Sequence, residues 1–159
     1  MTDTLALYRD DGPLARAVMA AVSRGTQPAR HRLAWLVPPL LRAVEYGGIA
    51  VLGWRAGASG LGATYALLAA MAFRHYDIVY RLRHQAAPPP AWVGTAGLGW
   101  DGRVVVVLAA ALTDVYVPTA IGLAVWCGAL FVAESVTSWV RVARDPTRTV
   151  AMATGDDEE

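Results

Sequence analysis

Val115-Tyr-Val-Pro-Thr-Ala-Ile-Gly-Leu-Ala-Val-Trp-Cys-Gly-Ala-Leu-Phe-Val-Ala133 runs for 19 residues without one charged side chain. An α-helix needs roughly 20 apolar residues to cross a hydrocarbon core about 30 Å thick. Strands that alternate apolar and polar residues, and amphipathic helices, do not carry so long an uncharged run. The segment therefore predicts a membrane helix, starting at Pro118 and reaching about Val140 before Arg141, Arg144 and Arg148. Upstream, Val104-Val-Val-Val-Leu108 opens a shorter span from near Arg103 to about Val115. A soluble alternative would make Val104–Val107 a buried strand, which the neighbouring uncharged run argues against.

Two further spans precede these, Leu33–Trp54 and Gly60 to about Tyr76, joined by the short turn Arg55-Ala-Gly-Ala-Ser59. The second continues as a helix through Arg81 and Arg83. Pro88-Pro-Pro90 removes donors and forces extended backbone, so Ala86–Ala91 is not helical, and Gly94–Gly102 reads as a glycine-rich loop. Ahead of the first span, Pro13–Val22 predicts an amphipathic helix: proline suits its first position, Leu14, Val18 and Val22 recur every four residues, and Gly25 supplies a stop. Such a helix suits a membrane surface or a simple cap. Asp10 and Asp11 stand where a signal peptide would carry positive charge.

The arginines orient the chain. They cluster before residue 33, over Arg74–Arg83 and after Val140, with Arg55 alone in a short outer turn. The positive-inside rule puts the clusters in the cytoplasm, which requires an even number of spans. The expected fold is all-α and polytopic, with four transmembrane helices as two hairpins and both termini cytoplasmic. Residues 1–32 form a cytoplasmic segment, 33–142 the membrane domain, and 143–159 an acidic tail expected to be disordered. The location expected is the cell membrane. Composition agrees: of 159 residues 55% are hydrophobic and 17% charged, against about a quarter charged in soluble domains. All 14 basic residues are arginine, with no lysine and no asparagine, a pattern of GC-rich codon usage. A net charge of +1 excludes nucleic acid as an expected partner.

Ionisable residues inside a membrane cost about 2.5 kcal/mol or more each, so each needs a partner or a role. Arg42 and Glu45 share a helix face and can neutralise each other. Arg42 stands roughly 13 Å into the first span, and Glu134 of the fourth reaches the same depth. Asp77 and Arg81 are spaced for an ion pair on a continuing helix. With Arg74, His75, Asp101 and Arg103 they predict a mixed-charge cup at the cytoplasmic surface. Its arginines suit a phosphate group, although a positive-inside anchor with local ion pairs explains the same residues. Gly97-Leu-Gly-Trp-Asp-Gly102 fits G-x-G-x-x-G, but the dinucleotide fingerprint needs a preceding strand. His31, His75 and His84 lack metal-ligand spacing, no nucleophile–base pair is legible, and neither metal nor cofactor is expected. Cys127 reads as a buried small hydrophobe. Trp35, Trp54, Trp92, Trp100 and Trp139 suit membrane interfaces.

Tyr8-Arg-Asp-Asp-Gly-Pro-Leu-Ala15, Trp35–Tyr46, Arg74–His84 and Gly99-Trp-Asp-Gly-Arg103 together resemble an uncharacterised actinobacterial membrane domain over about Tyr8–Trp139. That domain usually lies C-terminal to nucleotidyltransferase-like and CDP-alcohol phosphatidyltransferase-like domains. The resemblance implies no activity of its own, and the transferase signature D-x-x-D-G-x-x-A-R…G-x-x-x-D-x-x-x-D is absent here. It implies a non-catalytic accessory module of phospholipid-headgroup or lipid-phosphate metabolism. Such a module meets membrane lipids, and the resemblance leaves open a separately encoded transferase-like partner or a homo-oligomer. Two rivals remain: an enzyme acting on a phosphorylated lipid at the cytoplasmic face, with Asp77, Asp101 or Glu134 as base or metal ligand, and an oligomeric transporter subunit with a polar path through Arg42, Glu45 and Glu134 toward Asp114.

Overall fold

The computed structural model describes residues 10–22, 36–84 and 89–144. Among them every regular element is an α-helix: α1 Pro13–Val22, α2 Val37–Arg55, α3 Gly57–His84, α4 Ala91–Ala96, α5 Gly99–Leu112 and α6 Tyr116–Ala143. The strand alternative at Val104–Val107 is thereby excluded. Trp35, His31, the residues beyond 144 and the Gly25 stop lie outside the described residues.

The helices α2, α3, α5 and α6 form a bundle, with α3 packed along α6 and α2 packed along both α3 and α5. Prolines in the first turn of α2 suit positions whose N–H groups have no intrahelical acceptor. The α2–α3 turn is tighter than the sequence predicts. Only Ala56 separates the helices, because Gly57 takes a left-handed φ of 79° that reverses the chain in one residue. Between α5 and α6, Asp114 at φ 58° does the same work, a conformation aspartate tolerates better than most residues.

Residues 94–102 are a correction. Rather than a loop, they hold the end of α4, a turn at Gly97-Leu98, and the start of α5 four residues before Arg103. Leu98 at φ 65° and Gly99 at φ 61° break the helix in two. The carbonyls released by the break find new donors: Trp126 Nε1 donates to Ala96 O at 2.9 Å, and Arg103 Nη1 to Gly97 O at 3.0 Å. A Cβ on Gly99 would meet the backbone of Gly12, and that close approach lets Trp100 N donate to Asp10 O at 3.1 Å.

Two segments among the described residues are long and apolar enough to cross a membrane, Ala91–Leu112 with mean hydropathy 1.4 and Tyr116–Ala143 with 1.8. The expected four reduces to two by that measure. The physical reason is that α2 contains Arg42 and Glu45, and the second half of α3 contains Arg74, Asp77, Arg81 and Arg83.

Polarity across the bundle is inverted. Val44, Tyr65, Leu112 and Val125 are each at least 65% exposed, whereas Glu45, Arg81 and Arg103 are at most 2% exposed. One half of the interior is apolar, built on Ile49, Leu67, Met71, Val107, Tyr116 and Leu123. There the Thr64 and Tyr116 hydroxyls bond each other, and Tyr116 donates to Ile49 O at 3.0 Å. Val93, Cys127 and Phe131 form a second apolar cluster.

Replacing Gly99 with alanine should cost at least about 1 kcal/mol for the left-handed backbone alone, and the added methyl should push α1 off the bundle. Faster tryptic cleavage after Arg16 in detergent checks this. Unchanged cleavage would show that residues 10–22 do not depend on that contact.

Candidate functional site

The other half of the interior holds charge. Arg103, on the first turns of α5, sends Nε to Glu45 Oε1 at 2.9 Å and Nη2 to Asp10 Oδ2 at 3.1 Å. Arg42 bonds the second oxygen of Glu45. Two guanidinia and two carboxylates thus neutralise one another across α2, α5 and the segment before α1. Removing one ion of such a set leaves its partner buried and unpaired.

A second cluster joins α3 to α6. Arg81 meets Glu134 through both terminal nitrogens, Nη1 to Oε1 at 3.1 Å and Nη2 to Oε2 at 2.8 Å. Nη1 also donates to Ser138 Oγ at 3.0 Å. Arg81 Nε lies 2.9 Å from Asp77 Oδ2, an ion-pair contact outside hydrogen-bond geometry, and Ser135 Oγ donates to Asp77 Oδ1 at 2.9 Å. The i, i+4 pair expected from the sequence is present. Glu134 pairs with Arg81 and is not part of the Arg42–Glu45–Arg103 set.

Asp101 belongs to neither cluster. Its carboxylate accepts from Gly12 N at 2.6 Å, Leu14 N at 2.9 Å and Ala15 N at 3.0 Å. It caps α1 from another helix, satisfying the free N–H groups of the first turn. Trp100 Nε1 donates to Asp11 Oδ1 at 3.2 Å beside it. The apolar residues of α1, Leu14 and Val18, face outward.

Arg74 differs from the other buried arginines. It is 6% exposed, and its Nε and Nη1 have no hydrogen-bond partner among the described residues. Its guanidinium carbon stands 5.3 Å from the centre of the Phe131 ring, within reach of a cation–π attraction. On one side is a water-sized void of about 10 Å³ shared with Asp10, Arg42, Tyr46, His75 and Arg103. On the other is a cavity of about 280 Å³ lined by Asp10, Asp11, Arg16, Ile78, Pro89 and Gly94. Arg16 is held at the rim by Nη1 donating to Thr95 Oγ1 at 2.8 Å. A third concavity, about 390 Å³ and apolar, lies between α2 and α5 over Gly47 and Gly48.

Residues 7–157 match a protein family described as Family of unknown function (DUF5941). The chain belongs to that family. No curated protein and no solved structure matches it.

In this DUF5941 chain the predicted cup is therefore three separate arrangements. Arg81 with Asp77 and Glu134, and Arg103 with Arg42 and Glu45, are ion clusters within the bundle. Asp101 is a cap. Arg74 and the half-buried His75 lie between the clusters. Sequence reasoning missed Asp10, Arg16, Ser135 and Ser138. Adjacent acids immediately before a helix-opening proline in a basic segment were the available signal for Asp10. Among the described residues no three potential ligands are grouped to hold a metal ion.

Glu45→Gln should cost about 3–5 kcal/mol, because two guanidinia, Arg42 and Arg103, lose the carboxylate they share in a buried site, although Arg103 keeps Asp10. Glu134→Gln should cost less, about 1–3 kcal/mol, because Arg81 keeps Asp77 and Ser138. Unfolding monitored by circular dichroism in mild detergent would rank the two, and the reverse order would contradict the shared role of Glu45.

Proposed function

We propose that this chain is a four-span membrane module with both termini cytoplasmic, acting without catalysis of its own in phospholipid-headgroup or lipid-phosphate metabolism. The observation that carries the membrane reading is the inverted polarity of the bundle. A surface of valine, leucine and aromatic residues over an interior of paired charges is the arrangement hydrocarbon solvent selects, and water selects the reverse. In that setting α2 and α3 need not be apolar throughout, since Glu45 pairs with Arg42 and Arg103, and Arg81 with Asp77 and Glu134. The re-paired carbonyls at the α4–α5 break meet the same demand, because broken backbone at membrane depth must find internal partners.

Lengths support the registration. Twenty residues at 1.5 Å each span about 30 Å, so α3 entering at Gly57 leaves near Tyr76, and α6 entering at Tyr116 leaves near Ser135. Tyr76, Tyr80 and Trp139 form a chain of ring contacts at that level, with centroids 6.0 and 5.6 Å apart, where aromatic belts lie. Arg74 then stands just inside the cytoplasmic headgroup region. The resemblance to domains fused to phosphatidyltransferase-like enzymes supplies the metabolic setting, and a separately encoded transferase of that kind is the partner proposed. The engagement of Asp77, Asp101 and Glu134 by other parts of the fold favours an accessory role over catalysis, which needs acids converging on a free reacting point.

In a Cys127→Ala background, Ser59→Cys should react with an impermeant maleimide from outside intact cells, and Arg144→Cys only after permeabilisation. The opposite pattern would invert the topology, and recovery of the chain without detergent would end the membrane reading. Purified chain given a CDP-activated lipid or a polyprenyl phosphate should show no turnover. Turnover lost in Asp77→Asn would return the enzyme reading.

A further inference from the structure

Among the described residues, Arg42, Arg81 and Arg103 each form an ion pair with a carboxylate. Arg81 and Arg103 each meet two acids, and Arg42 shares Glu45. Arg74 is 6% exposed, yet its Nε and Nη1 have no hydrogen-bond acceptor among the described residues. Asp10, Glu134 and Asp77 act on it through charge alone, and a desolvated guanidinium whose donors are unmet is costly. Beside Arg74 is a cavity of about 280 Å³, far larger than one water needs.

The opposite walls are specific. Arg16 offers its second terminal nitrogen, the first being bound to Thr95. Asp10 uses Oδ2 on Arg103, and its Oδ1 turns toward Gly94. A Cβ at position 94 would sit 3.2 Å from Asp10 Oδ1 and 3.6 Å from Arg16 Nη2, so the bare glycine keeps the space between acid and guanidinium open. The walls thus present two positive groups and, beside them, an acceptor.

We propose that the cavity between α1, α3 and α4 binds a single phosphate group that carries a hydroxyl or ammonium close by, the chemistry of a polar phospholipid headgroup. Arg74 donates to the phosphate from the floor and Arg16 from the rim, as guanidinia do to phosphate elsewhere. Asp10 Oδ1 accepts from the neighbouring hydroxyl or ammonium. The identification of the source as lipid rests on the membrane reading above, whereas the phosphate chemistry rests on the cavity alone. The site also shifts the phosphate contact away from Arg81 and Arg103, whose donors are taken up by carboxylates.

The test uses the full chain in detergent, with thermal unfolding and native mass spectrometry as readouts. The probes are dihexanoyl phosphatidylglycerol, inorganic phosphate and dihexanoylglycerol. The phospholipid should bind and raise the melting temperature, and dihexanoylglycerol should do neither. Arg74→Met should weaken binding at least about tenfold, the equivalent of one charge-assisted hydrogen bond. Without ligand the same variant should melt no lower than the wild type, because it removes a buried guanidinium whose donors are unmet. Gly94→Leu should block binding with Arg74 in place. Inorganic phosphate binding as tightly as the phospholipid would keep the phosphate site and identify a soluble phosphate as occupant. Binding of neither phosphate probe would overturn the proposal. So would unchanged binding by Arg74→Met, and a variant that melts lower while binding normally would make Arg74 a structural cation. Either failure leaves the maleimide labelling pattern intact, so the ligand and membrane readings fail separately.

Discussion

The guanidinium of Arg103 ties together three distant parts of the chain at one buried point. From α5 it holds Glu45 of α2, the carbonyl freed where α4 ends, and Asp10 ahead of α1. Arg42 closes the set on the far side of Glu45. The close approach of Gly12 to Gly99 and the capping of α1 by Asp101 follow from the same junction, since all lie within one turn of helix from Arg103. Loosening that one side chain would release the amino-terminal segment, unsettle the helix break and leave Glu45 in the middle of α2 with Arg42 as its one ion-pair partner.

The two charge clusters occupy the same half of the bundle, and the apolar core with its Thr64–Tyr116 contact occupies the other. This division gives the molecule an apolar end and a polar end in which ion pairs link the helices. Buried ion pairs are better at specifying an arrangement than at stabilising it. Arg81 chelated by Glu134 fixes how far α3 can slide along α6, and Arg103 on Glu45 does the same for α5 along α2. The Arg74 cavity lies between these two fixed pairs, so its walls are positioned by elements that cannot shift independently.

Much of the helical organisation was legible in the residues themselves. The uncharged run before Glu134, the i, i+4 spacing of Asp77 and Arg81, and the Pro13 start of α1 each carry a local physical signal, and each matches the structure. The failures are where the decisive interaction is long-range. Residues 94–102 read as a loop because their glycines are locally helix-breaking. What restores helix on both sides is the docking of Asp10–Gly12 against Gly99 and the donors that Trp126 and Arg103 supply. Asp101 read as a site residue because a cap provided to a helix 86 or more residues away leaves no local pattern. Likewise Arg74, Arg81 and Arg103 are indistinguishable as letters. Only the positions of the carboxylates in space separate Arg81 and Arg103, which hydrogen-bond to acids, from Arg74, whose Nε and Nη1 have no hydrogen-bond partner among the described residues.

The pairings across the bundle also impose an order on its assembly. Glu45 is synthesised 58 residues ahead of Arg103, and Arg81 53 residues ahead of Glu134. In the proposed membrane setting the first hairpin therefore leaves the ribosome with Glu45 and Arg81 paired only within their own helices, to Arg42 and Asp77. Only when α5 and α6 emerge can Arg103 and Glu134 complete the two clusters, and α5 and α6 lie in the two segments long and apolar enough to cross a membrane. The hydrophobic second half of the chain is thus the scaffold on which the more polar first half is lodged, the reverse of the order in which they are made.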